Sequence, residues 1–154
     1  MDLDIKEIAY HYQISDRLAT SGQPTVEQFE LIAQSGYKTI VNLAMSSSSN
    51  AMSNEGAVVS DLGMVYIHIP VVWDKPTVKD VQLFFKIMNT FDNDPVWVHC
   101  AKNMRVSCFI YFWQKYLQKL PEIEALYPMN EIWQPSGVWQ QLIEDVEKSF
   151  STIH

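Results

Sequence analysis

The spacing of apolar and polar positions changes period several times along the chain, and each change predicts an element. Residues 1–12 mix acidic and apolar types and read as a short turn. Residues 12–21 give one or two short strands, broken at Asp16-Arg17 and closed by Ser21-Gly22-Gln23-Pro24. Thr25 with Gln28 three places on forms a capping box, and Val26, Phe29, Ile32 and Ala33 make the inner face of a helix that ends at Gly36. Residues 39–43 read as a buried strand. The polar run 46–56 is expected to be a mobile surface linker rather than a substrate contact, and a helix over 55–62 and a strand over 64–69 follow it. Thr77 and Asp80 cap a helix with Val81, Phe84, Phe85 and Met88 inside. Near the C-terminus, 122–127 reads as a short helix and 135–150 as an amphipathic one carrying Val138, Trp139, Leu142, Ile143 and Val146.

The most informative stretch lies between these. Val96, Trp97 and Val98 follow Pro95 as an interior strand begins, and Val106, Phe109, Ile110, Trp113, Tyr116 and Leu117 recur at helical spacing up to Pro121. Residues 100–105 are therefore a turn at the carboxyl end of a strand, where open α/β sheets place ligands. Amides of such a turn, backed by a helix N-terminus, make a concave anion site. The helix dipole, the loop amides, Lys102 and Arg105 all favour the thiolate of Cys100, which makes it a nucleophile near neutral pH. Arg105 supplies a planar fork for two oxygens of a phosphate-like group, at a helix end where a cation is unfavourable unless an anion sits there. Together they point to cysteine-dependent phosphoester cleavage.

The string His99-Cys100, four residues, Arg105 resembles the signature of the protein tyrosine and dual-specificity phosphatases, usually His-Cys, five residues, Arg, then Ser or Thr. It departs from that signature in having a loop one residue shorter, no glycine in the loop, and its hydroxyl residue, Ser107, one place late. The shorter spacing is similar to that of a bacterial phosphatase branch, the β-lactamase hydrolase-like proteins, and also to that of many rhodanese sulfurtransferases. The Ser-Gly-Gln-Pro turn, the helix after it and the strand ending in Asn42-Leu43 look like the N-terminal half of small bacterial dual-specificity-type phosphatases, so the resemblance spans residues 12–110. The Trp73-Asp74-Lys75-Pro76 loop resembles the general-acid loop of the same families, which is mobile in them. The resemblance implies an α/β single-domain phosphatase-like fold, with a central, mostly parallel sheet of four or five strands and helices on both faces.

Length and composition narrow the picture further. The chain has 154 residues, 47% of them hydrophobic and 12% aromatic, enough for one well-packed domain over 1–154. A net charge of −7 argues against nucleic-acid or anionic-membrane surfaces, while leaving room for a local cationic pocket. Cys100 and Cys108 fall in different elements and form no disulfide framework. The first residues lack a basic and apolar leader, and no apolar run is long enough to span a bilayer, so a reducing, cytoplasmic setting is expected.

The remaining roles follow from these premises. Asp74 is the expected general acid, since Thr77 already serves as the cap, with Asp80 in reserve. Phosphate oxygens are expected on the backbone of Ala101, Lys102, Asn103 and Met104 and on Arg105. Lys102 and Asn103 are expected to point into the loop, and Asn103 tolerates the left-handed backbone that glycine usually provides. His99 either orients the loop and tunes the thiolate or is a satisfied core histidine, and Ser107 is a weak candidate to assist departure of the thiolate. Cys108 reads as core. His11, His68 and His154 show no metal-ligand spacing, and no metal or organic cofactor is implied. The expected partner is a phosphorylated small molecule or phosphoprotein. A rhodanese-like persulfide on Cys100 and a non-catalytic anion-binding module are the alternatives.

Overall fold

A computed structural model describes residues 4–151; the first three and the last three positions, His154 among them, lie outside them. Strands β1 (Tyr12–Gln13), β2 (Leu18–Ser21), β3 (Thr39–Asn42), β4 (Val65–His68) and β5 (Val96–His99) form one sheet in the order β1-β2-β5-β3-β4. β1 runs antiparallel to β2 and every other pair is parallel. All residues of β2, β3 and β5 are buried, as expected of interior parallel strands covered on both faces. The edge strand β4 is more open.

The helices are α1 (Val26–Gln34), α2 (Glu55–Asp61), α3 (Val78–Thr90), α4 (Met104–Phe112), α5 (Glu122–Ala125), α6 (Met129–Ile132) and α7 (Val138–Ser151). α1 and α2 cover one face of the sheet, where Phe29, Ile32 and Val59 pack on Ala19, Ile40 and Trp97. On the other face α3, α4 and α7 pack Phe84, Phe109, Phe112 and Trp139 on Val41, Val96 and Val98. The period of two therefore splits the end of β5. Val96, Val98 and Cys100 belong to the α3/α4/α7 side, and Trp97 and His99 turn toward α1 and α2.

Both capping boxes form, at Thr25/Gln28 and Thr77/Asp80. The helix expected to run to Pro121 instead stops at Phe112 and continues as a single π-helical turn over Trp113–Leu117. Gln114, buried there, donates to the carbonyls of Ala125 and Tyr127, which draws the next segment against α4 in place of further helix. The stretch after Pro121 divides into α5 and α6, where one short helix was expected. α7 starts at Val138, later than the pattern implied, because Gly137 sits at φ +59.

Phe109 is fully buried, with its ring centroid 5.6 Å from Phe84 and 6.2 Å from Trp139. Phe109→Ala is expected to cost about 3–5 kcal/mol, measured by denaturant unfolding.

Candidate active site

β5 delivers the chain into the turn at Cys100, which is 1% exposed. The carbonyl of Ala101 is turned outward and accepts from the amide of Gln23 (3.2 Å) and from Asn50 Nδ2 (3.1 Å). A trans peptide opposes its C=O and N–H, so the amide of Lys102 points away from Gln23 and Asn50. The Ser-Gly-Gln-Pro turn lies directly alongside. A Cβ on Gly22 would stand 2.8 Å from the Ala101 oxygen, so only glycine fits there.

Asn103 adopts φ +63, ψ +11, the left-handed conformation, immediately before α4. Its side chain does not point into the turn as expected. Nδ2 donates to the carbonyl of Tyr10 (2.9 Å) and to Thr20 Oγ1 (3.0 Å), because the left-handed backbone swings the amide toward β2. Asn103 thus anchors the turn through its side chain.

A cavity of about 380 Å³ opens on the turn, lined by Ser48, Ser49, Trp73, Cys100, Lys102 and Arg105, with Ala101 and Met104 completing it. Arg105 is 7% exposed; its Nη1 donates to the carbonyl of Val71 (3.1 Å) and its guanidinium carbon lies 5.6 Å from the centre of the Trp73 ring. Its Nε is buried without a hydrogen-bond partner among the described residues. A buried cation in the first turn of a helix, with one donor uncommitted beside a thiol, fits an anion. A larger cavity of about 510 Å³, lined by Leu126, Met129, Trp133 and Ile143 among others, holds none of these loop residues.

Ser48 and Ser49 on the cavity wall, with Asn50 bonded to Ala101, show that the polar run 46–56 docks on the turn, where a plain surface linker was expected. Asp74 is exposed and makes no hydrogen bond or ion pair among the described residues, although its neighbour Trp73 lines the cavity. Asp80, held in reserve as an acid, is committed to its cap: Oδ2 accepts from the Thr77 amide at 3.0 Å. The Ser107 hydroxyl donates to the Met104 carbonyl (3.0 Å) and accepts from Trp133 Nε1 (3.1 Å), and no hydrogen bond joins it to Cys100. One residue of helical rotation, about 100°, has turned it away. Cys108 is fully buried, and burial pushes its thiol far up.

One residue escaped the sequence altogether. Glu55, the first residue of α2, is 3% exposed; its Oε2 lies 2.6 Å from His99 Nε2, and its Oε1 accepts from Gln23 Nε2 at 2.7 Å. Burial pushes its carboxyl up, but the hydrogen bonds from His99 and Gln23 and the charge on His99 outweigh this and leave it below the usual carboxylate range. Its only local signal, an acidic residue at a helix start, is common for reasons of capping alone. Among the described residues no three His, Cys, Asp or Glu side chains cluster as metal ligands would, and no helix is long and apolar enough to cross a membrane.

Known proteins resemble this chain in sequence and in fold. The family model described as DSP-PTPase phosphatase fused to NAD+ kinase matches residues 5–143. A β-lactamase hydrolase-like protein of Xylella fastidiosa (strain Temecula1) is 33% identical over 119 residues, covering 73% of this chain and 27% of the relative. The chain thus spans about a quarter of the length of that curated relative. A DUF442 phosphatase candidate from Shewanella putrefaciens CN-32 superposes with a TM-score of 0.84 at 35% identity over 94% of this chain and 95% of that one. Tk-PTP in its active form has a TM-score of 0.74 at 16% identity, covering 90% and 96% of the two chains, a likeness of fold.

Proposed function

From the premise that this chain belongs to the DSP-PTPase phosphatase family described as fused to NAD+ kinase, we propose that it hydrolyses a phosphomonoester through a cysteinyl-phosphate on Cys100. The observation that carries the reading is the pairing of Cys100 with Arg105 across one cavity, the guanidinium buried and its Nε uncommitted. Sulfur attacks phosphorus in line, the S–P bond forms as the P–O bond to the leaving group breaks, and water then cleaves the S–P bond and releases inorganic phosphate. Arg105 and amides of the turn, that of Lys102 among them, hold the three equatorial oxygens, where charge spreads in the transition state. The Trp73 ring, over the guanidinium and on the cavity wall, offers an apolar face to the leaving group.

The test is release of inorganic phosphate from a small aryl phosphate by the wild-type chain, with thiosulfate-to-cyanide sulfur transfer measured alongside. Phosphate release without sulfur transfer is expected; the reverse assigns the chain to sulfurtransferase chemistry.

In the same reading Asp74 protonates the leaving oxygen from the loop that carries Trp73. Asp74→Asn is expected to lower turnover of an aryl phosphate by about 10²-fold, measured by initial rates. The deficit is expected to shrink for substrates whose leaving group needs no proton.

A further inference from the structure

On the α1/α2 side of the sheet, directly behind the nucleophile, His99 is fully buried between two acceptors. Its Nε2 lies 2.6 Å from Glu55 Oε2, and its Nδ1 lies 3.2 Å from the carbonyl oxygen of Cys100. A backbone carbonyl only accepts, so Nδ1 carries a hydrogen. Glu55 also takes a hydrogen bond from Gln23, and the direction in which its carboxyl is shifted makes it a carboxylate at neutral pH. A carboxylate only accepts as well, so Nε2 carries the second hydrogen, and an imidazole with both is the imidazolium.

We propose that Glu55 is a positioning residue of the phosphatase site, fixing His99 as an imidazolium that orients the Cys100 peptide and favours the anionic form of the sulfur. The inference rests on Cys100 being the nucleophile. The pair is overall neutral, but its positive end is the one bonded to the Cys100 carbonyl, and the carboxylate sits on the far side of the ring. Stability alone is a poor account of it, because taking both partners of an ion pair out of water roughly cancels their attraction.

The other groups around the pair leave its charge intact. From β4, Tyr66 bonds to Glu55 and accepts from Asn42 Nδ2, and burial above all pushes its phenol up, so it stays neutral. His68, also on β4, stands beyond Tyr66 with its ring centroid 6.1 Å away and its Nε2 on the Ala44 carbonyl. α1 presents only the edge of Phe29, 5.9 Å from the His99 ring centre, and the turn before α1 presents the Gln23 amide; neither titrates. On the turn itself the facing groups are the Cys100 thiol and, across the cavity, the cations Lys102 and Arg105.

The test is the rate at which the neutral reagent iodoacetamide alkylates Cys100, followed by peptide mass spectrometry between about pH 5 and 9 in the wild-type chain and in Glu55→Gln. The glutamine keeps the shape and removes the charge. It is expected to slow alkylation about three- to tenfold near pH 7, with the two rates converging at alkaline pH where both thiols are ionised. Superimposable curves overturn the proposal. Should Glu55→Gln fail to fold, the nitrogen-15 shifts of the wild-type His99 ring decide: two protonated nitrogens at neutral pH support it, and a single neutral tautomer overturns it. Neither readout uses a phosphate ester, so failure of the phosphatase reading and failure of this inference are separate results.

Discussion

Cys100→Ser is expected to reduce hydrolysis of a small aryl phosphate by at least about 10³-fold while leaving the fold and the binding of inorganic phosphate in place. The serine hydroxyl is close in size to the thiol but stays protonated, where the proposed mechanism needs a thiolate to attack. The turn does not depend on the sulfur for its shape. It is held by the outward carbonyl of Ala101, the side-chain amide of Asn103 and the Arg105 bond to Val71, none of which involves Sγ. Initial rates, with calorimetric binding of phosphate to the same variant, separate the two properties. Turnover within a factor of about ten of wild type removes Cys100 from the mechanism.

Arg105→Lys is the second large effect, expected at about 10²–10³-fold in kcat/KM despite conservation of charge. The guanidinium does three things at once in this structure. It bonds the Val71 carbonyl through Nη1, it lies against Trp73, and its buried Nε has no hydrogen-bond partner among the described residues. An ammonium is a point charge without a planar fork and can satisfy only part of that set. The change also loosens the link between the turn and residues 71–76, which carry Trp73 and Asp74, so both kcat and KM are expected to worsen. Steady-state kinetics on an aryl phosphate measures this, and unaltered kcat/KM denies Arg105 the role of clamp.

What the sequence made legible was local. The strand, turn and helix around Cys100 and Arg105 were readable because residue type and period fix them within about twenty positions, and both capping boxes were readable because each needs only residues three apart. What stayed hidden depends on partners far along the chain. His99 was placed beside Cys100, but its partner Glu55 comes from another element 44 positions away. Asn103 was legible as a residue that tolerates a left-handed backbone, yet the direction of its side chain is set by Tyr10 and Thr20, 93 and 83 positions earlier. Ser107 was named from a pattern one residue out of phase, and its actual partner, Trp133, lies in a segment with no regular period. The serines at 48 and 49 looked like linker because composition reports polarity and says nothing of where a loop docks. The π-helical turn after Phe112 is invisible to a 3.6-residue pattern for the same reason, since the buried Gln114 that accompanies it bonds to a later segment.

The glycine-free turn has an entropic consequence. A turn rich in glycine samples many backbone states, and an anion that binds it must bear the ordering of those amides. Here Asn103 already holds the left-handed state and is tied by two hydrogen bonds to Tyr10 and Thr20, and Ala101 is tied to Gln23 and Asn50. The loss of backbone freedom is therefore taken when the chain folds, where the packing of β2 and the docked polar loop offset it. On the proposed reading, a phosphate that binds this turn is expected to spend little of its binding free energy on freezing the protein.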